Sequence, residues 1–392
     1  MLKHNLHRGI MNPMRLLGKL LVLLTASLAW SGPIQAMDHV TVRRDGRQTE
    51  VQGRILETAR DGGLLMLAQD GVLWRVEPQE LVKQSSDAEP FKPLDADDLA
   101  QQLLPTLPQG FQVYKTAHYL VLHNSSAVYA RWCGGLFERL YAAFNKYWKS
   151  REFNLAEPEF PLVAIVFADE KSYLSYCGPD LGEAAKSVIG YFNLQTNRMA
   201  MYDLSGMQAL GGGHDHGSSA IRKVLTHPDA ERLVATIVHE ATHQIAFNCG
   251  LQTRLSDCPD WFSEGLAVYF ETPDLSSASG WRNMGGVNRP RLAQFQQYLR
   301  HRPADSLATL VSSNKRFRDS SLALDAYGEA WALSYYLVHR CPKQYVDYLR
   351  MLSHKRPLIW DNEATRLAEF QAAFGDLKKL DASFLHYMAT VR

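Results

Sequence analysis

The chain has 392 residues, 46% hydrophobic and 21% charged, with a formal net charge of +1. That is the composition of an ordinary globular protein with room for about two or three domains. A near-neutral balance without a basic tract excludes an electrostatic nucleic-acid binder, and no apolar stretch beyond residue 36 is long enough to span a bilayer.

Residues 1–36 read as a secretory signal. Lys3, Arg8, Arg15 and Lys19 precede or open the apolar run Leu20 to Trp30, and Ile34-Gln35-Ala36 is an acceptable cleavage site. Starting at Met11 or Met14 would leave a tighter signal. The run falls short of the roughly 20 residues that an anchor helix needs, and no Cys follows the site to carry a lipid. Removing the segment takes away four basic residues and no acid, so the formal charge goes from +1 to −3. A periplasmic or secreted protein is expected, with no membrane contact after cleavage. The five cysteines, Cys133, Cys177, Cys249, Cys258 and Cys341, leave at least one thiol unpaired. Cys249 and Cys258 are the nearest pair; a bridge there and two free thiols are both open.

In chain order, residues 38–84 alternate short apolar runs with the turns Asp45-Gly46, Asp61-Gly62-Gly63 and Asp70-Gly71. This predicts a small barrel of the SH3-like kind. Residues 85–98 are polar with two prolines and read as linker, with the linker region extended to 110. Tyr119 to His123 and Leu162 to Phe167 read as strands. Ala127 to Trp148 has helical spacing in Val128, Trp132, Leu136, Leu140 and Phe144. Val188 to Phe192 and Arg198 to Tyr202 predict a hairpin about Gln195-Thr196-Asn197, and residues 211–219 a Gly/His-rich loop. From Arg289 the pattern is mostly helical, with Asp361 and Asp376 or Asp381 as helix starts.

His239-Glu240-Ala241-Thr242-His243 places two imidazoles one helical turn apart with a carboxylate between them. Residues four apart share a helix face, so both rings can grip one metal ion while Glu240 points at water beside it. The helix context is supplied by the capping box Thr226-His227-Pro228-Asp229, the apolar residues Leu233, Val234, Ile237, Val238 and Ala241, and the stop Asn248-Cys249-Gly250. A second helix runs from about Pro259 through Glu271. Glu264 is an acid within its apolar sequence, where an unpaired carboxylate is costly and a metal would satisfy it. Glu271 shares its face, either supporting a ligand or facing solvent.

The segments HEATHQIAF and WFSEGLAVYFE resemble the gluzincin metallopeptidases, the clan of thermolysin and aminopeptidase N, and in particular the peptidase-MA-like family of uncharacterised exported bacterial proteins. The likeness covers roughly residues 110–390. It implies a zinc ion held by His239, His243 and Glu264, the last 21 residues after His243. It also implies that Tyr327, 63 residues after Glu264 in Tyr327-Gly328-Glu329-Ala330, supports an oxyanion. The expected fold is α+β: a thermolysin-like zincin domain over 111–288 and a helical C-terminal subdomain over 289–392, preceded by the β barrel. The G-x-M-E-N segment by which aminopeptidases hold a free amino terminus is absent; Gly190 to Tyr202 stands in its place and resembles only the edge strand that pairs with substrate.

The implied reaction is hydrolysis of a peptide or protein substrate. Zinc would polarise the carbonyl and lower the pKa of its water towards about 7. Glu240 would take the proton as general base and pass it to the leaving amine. Tyr327 would donate to the oxyanion, a contribution of about 3–4 kcal/mol. The β module offers a docking point for a cell-envelope partner. Two rival readings are a zinc-holding scaffold without turnover and a zinc amidase on a non-peptide amide. His214 and His216 lack a third ligand nearby and read as a solvated loop; Trp261 and Phe262 read as core.

Overall fold

The computed structural model describes residues 36–204, 230–272 and 284–392. The signal-like segment through residue 35, the Gly/His loop and the 226–229 capping box lie outside these residues. Described residues 36–392 belong to one compact unit. No described helix is long and apolar enough to cross a membrane.

The β-rich sequence at the start forms five antiparallel strands: β1 (Ala36–Arg44), β2 (Arg47–Thr58), β3 (Leu64–Ala68), β4 (Leu73–Val76) and β5 (Leu81–Pro90). Their order is β4-β3-β2-β1-β5. Strand alternation sends Val40, Val42, Val51, Leu64, Met66 and Val76 to one face. Leu65, Leu67 and Leu73 go to the other, where they meet Phe160 and Leu255 of the following body.

The sheet is open, which corrects the expected barrel. β4 spans four residues, and its edge is engaged elsewhere: the Leu73 N–H donates to the Gln195 carbonyl at 2.8 Å. The polar stretch from residue 85 is a strand as far as Pro90, not linker, because β5 is the other edge of the sheet and its side chains face solvent. Polarity reported exposure there and said nothing about extension. α1 (Ala96–Leu103) follows, N-capped by Asp95, whose side chain accepts from the Asp97 and Asp98 N–H groups.

The second sheet comprises β6 (Gln112–Lys115), β7 (Tyr119–His123), β8 (Leu162–Phe167), β9 (Gly190–Asn193) and β10 (Arg198–Tyr202), ordered β6-β7-β8-β10-β9. β7, β8 and β10 run parallel, and the hairpin β9–β10 is antiparallel, so β9 is an edge. The hairpin turn is completed by Asn197 at φ +63°, a conformation that asparagine tolerates. β7 and β8 are buried along their whole length, as continuous apolar strands covered on both faces should be. α2 (Ala127–Lys149) packs on β6 and β7, and α3 (Glu170–Leu181) on β8 and β10.

α4 (Ala230–Asn248) lies against β8, β9 and β10, and α5 (Asp260–Phe270) packs on it. Then come α6 (Arg289–Tyr298), α7 (Ser306–Ser312), α8 (Lys315–Arg318), α9 (Ala323–Arg340), α10 (Pro342–Ser353), α11 (Glu363–Phe374) and α12 (Leu377–Met388). α9 is the hub, touching α5, α6, α8, α10 and α12. The whole is mixed α+β. α12 begins at the expected Asp376, whose side chain accepts from the Lys379 N–H. α11 is capped by Asn362 instead of Asp361, which pairs with Lys355, and Asp381 sits inside α12 paired with Arg302.

Candidate metal centre

Two helices meeting at their polar positions build the site. α4 is anchored to the sheet by Gln244, whose amide donates to the Val163 carbonyl at 2.9 Å, and by paired amides of Asn197 and Asn248. Gly250 at φ +76° ends it, and the Leu251 and Gln252 N–H groups turn back to the Ala246 carbonyl. Cys249 and Cys258 flank this loop as free thiols, so no bridge braces it; all five cysteines are unpaired. α5 crosses α9 so closely that a Cβ on Gly265 would collide with Ser334 Oγ and lie 2.7 Å from the Ala330 carbonyl oxygen. Glycine beside Glu264 therefore sets the distance between the helix that carries Glu264 and the helix that carries Tyr327. Trp261 and Phe262 are fully buried, as core residues.

This packing brings the predicted residues together. His239 Nε2 stands 3.1 Å from Glu264 Oε2 and 3.1 Å from His243 Nε2, and His243 Nε2 is 3.5 Å from Glu264 Oε1. Nearby, Glu271 is 8% exposed and accepts the His239 Nδ1–H at 2.7 Å. Asn288 donates to the other Glu271 oxygen at 3.3 Å, and the Arg291 guanidinium lies 3.6 Å from it. The alternative left open for Glu271 is thereby decided: it holds a histidine and does not face solvent.

With Nδ1 donating to Glu271, neutral His239 presents a lone pair at Nε2. That lone pair faces a carboxylate oxygen and a second imidazole nitrogen, an arrangement that could hold a cation at its centre. Without a metal, a proton on His239 fills the same place. Burial works against charge on His239, but the bonds to Glu264 and Glu271 outweigh it and raise its pKa well above the ordinary value. Glu264 is buried as well, yet the neighbouring imidazoles hold its carboxyl below the usual carboxylate range.

The donor set fits a tetrahedral zinc ion. Ligands at about 2.0–2.1 Å from such an ion stand roughly 3.3 Å apart, against the 3.1, 3.1 and 3.5 Å edges found here. His239, His243 and Glu264 are the group among the described residues that could hold a metal ion, with ligand atoms within 4.8 Å of one another.

Glu240 lies beside the triad on the same helix. Its Oε2 accepts the backbone N–H of Phe192, on edge strand β9, at 2.8 Å. Burial raises its pKa above the ordinary carboxylate value against the pull of the two histidines, which makes it a stronger proton acceptor. Tyr327 faces the same cleft; the Glu264 charge and then burial push its phenol well above the usual value, so it stays a donor. Arg291 lies over its ring at 5.4 Å and Phe317 meets it edge-on.

The cleft has a volume of about 370 Å³. One wall is apolar, with Phe192, Leu194 and Phe247; the other carries Asp260, Asn314 and Arg318, and Trp360 stands at its border. Asp260, one turn before Glu264, is pushed up to about 6 by burial and then by the Glu264 charge. Sequence reasoning named neither Asp260 nor Trp360, nor Asn288 and Arg291 behind Glu271. Asp260 was legible in principle, since it is four residues from Glu264; the others come from distant segments with no motif.

Residues 233–359 match a family profile described as a protein of unknown function, DUF1570. The match spans the two histidines, Glu240, Glu264, Glu271 and Tyr327. No curated protein matches the chain.

Proposed function

We propose that this chain is an exported, zinc-dependent peptidase of the gluzincin type, with a thermolysin-like catalytic part that hydrolyses peptide bonds in the cleft between β9 and α5. The observation that supports this best is the convergence of His239, His243 and Glu264 at tetrahedral spacing with the ionisable Glu240 beside them in an open cleft. A zinc ion held by these three residues would supply Lewis acidity and an activated water.

The protein's own groups supply the remainder. Glu240, made more basic by burial and aimed by the Phe192 N–H, accepts a proton and returns it to the leaving amine. Tyr327, kept protonated by the adjacent negative charge, donates a hydrogen bond to the oxygen on which charge develops. Glu271 fixes the tautomer of His239 so that Nε2 is the lone-pair nitrogen. The apolar wall of Phe192, Leu194 and Phe247 suits substrate side chains and displaces water from them. The scaffold reading would give Glu240 no work, although the residue is intact and poised.

The test is cleavage of a mixed peptide library, read by mass spectrometry, with the metal content of each protein measured in parallel. Wild type should contain about one zinc per chain and cut the library; Glu240→Gln should keep the metal and lose cleavage by about two orders of magnitude or more. Zinc-loaded wild type that cuts nothing would overturn the reading.

A further inference from the structure

The metal cleft does not end at its own border. Trp360 walls it and also walls a second cavity of about 550 Å³, which lies between the β module and the segment Arg356–Trp360. The module contributes Glu57, Arg60, Leu65 and Arg75 to that groove, and the segment contributes Arg356 and Ile359. Trp360 is 61% exposed, Ile359 52% and Leu358 38%, three consecutive large apolar residues left to solvent. A run of that kind beside a cleft marks a contact surface.

The border itself is built under strain. Leu255 and Leu358 have φ values of +60° and +62°, a left-handed backbone that a branched side chain adopts only when its surroundings impose it. They hold each other there: the Leu358 N–H donates to the Leu255 carbonyl at 2.7 Å, next to the bridge between Ser256 and Pro357. Leu255 faces two ways. It lines the metal cleft, and it packs with Leu65, Leu67 and Leu73 of the module. The module is thus seated directly behind the cleft wall. Arg356–Glu57, Arg54–Glu159 and Arg198–Asp70 pairs tie it to the body, as does the bond from Arg254 to the Gly71 carbonyl.

We infer that the β module is an extension of the substrate site. The groove past Trp360 holds a distal stretch of the same extended polypeptide whose scissile bond lies at the metal centre. The inference rests on the peptide-hydrolysis reading and deepens it, from any peptide to a long unfolded one. Continuity through Trp360 makes the occupant part of the molecule in the cleft. Its walls mix apolar surface with charges of both signs, Glu57, Asp61 and Glu77 against Arg60, Arg75 and Arg356. That suits the varied side chains of a polypeptide better than a single charged headgroup.

The experiment measures binding, so that it can fail separately from cleavage. Zinc-loaded full chain carrying Glu240→Gln is titrated into fluorescent peptides of about 4 and about 12 residues, the longer spanning roughly 40 Å when extended. Anisotropy should show the longer peptide binding at least about tenfold more tightly, the gain from burying a further apolar side chain. Ile359→Asp, at an exposed groove position away from the metal, should abolish the gain while the short peptide binds as before; Trp360→Ala should reduce binding of both. Equal affinity for both lengths, or a gain that survives Ile359→Asp, overturns the inference. Capture of insoluble cell-wall glycan by the groove in place of peptide overturns it too. A length gain in a protein whose parent cuts no peptide would leave the groove standing and remove only the peptidase reading.

Discussion

Glu271 accepts the Nδ1 proton of His239 at 2.7 Å while the opposite nitrogen of the same ring faces Glu264 at 3.1 Å. One imidazole is thereby clamped between two carboxylates seven residues apart, Glu264 within α5 and Glu271 at its C-cap. The inner contact orients the ring; the outer one could hold a cation. Removing the orienting group leaves the ligand set complete but free to choose the wrong tautomer. Glu271→Gln should therefore weaken zinc affinity by about 10- to 100-fold, read by competition with a chromogenic chelator. Unchanged affinity would assign Glu271 to packing alone.

His243→Ala and Glu264→Ala each remove a ligand atom and leave two. Both proteins should emerge from dialysis against a weak chelator with little zinc, whereas wild type keeps about one per chain. Elemental analysis settles this, and equal metal in all three proteins would refute the assigned triad.

Tyr327→Phe removes one hydroxyl and keeps the ring that packs against Phe317 and Arg291. Metal content and melting temperature should stay near those of wild type, while turnover falls about 10²- to 10³-fold, the usual effect of losing one oxyanion donor. Wild-type turnover would return Tyr327 to the core.

Gly265→Ala tests the spacing of α5 and α9. The added methyl meets Ser334 and the Ala330 carbonyl, and neither backbone can move without shifting Glu264 or Tyr327. A loss of about 1–3 kcal/mol is expected, checked by urea denaturation. The double variant with Ser334→Ala should recover only part of it, because the backbone contact remains.

The pairing of Glu57 with Arg356 gives a pH signature to the docking of the β module. The guanidinium bond lowers the Glu57 pKa from its ordinary value, against a small opposing effect of burial. A depressed carboxylate stabilises the folded form above its unfolded pKa, and this contribution is lost as the pH falls through the folded value. Wild type and Glu57→Gln should therefore differ in melting temperature near neutrality and converge in acid. A gap that persists in acid would show that the pair does not act through its charge.

The local part of the site was legible in the sequence because a helix turns a spacing of four into a shared face. That geometry makes His239 and His243 a candidate pair with Glu240 between them, but the motif alone leaves a helix without metal equally open; Glu264, an acid costly to leave unpaired in an apolar helix, is added as third ligand by the family resemblance. The strands β7 and β8, helix α2 and the β9–β10 hairpin were legible from periodicity for the same reason, since backbone geometry imposes it within a few residues.

That the β module stays an open sheet was not legible, because no local pattern says that the edge of β4 will bond to Gln195, more than a hundred residues away. Polar β5 looked like linker because an edge strand can expose nearly all its side chains. By itself the sequence determined which side chains could bind a cation and on which helical face. Only tertiary packing decided that Glu271 turns inward to hold His239, that Gly265 brings Tyr327 to the cleft, and that Trp360 joins the cleft to the module. Those three depend on contacts between segments far apart in the chain, and such contacts are selected by how whole faces fit together.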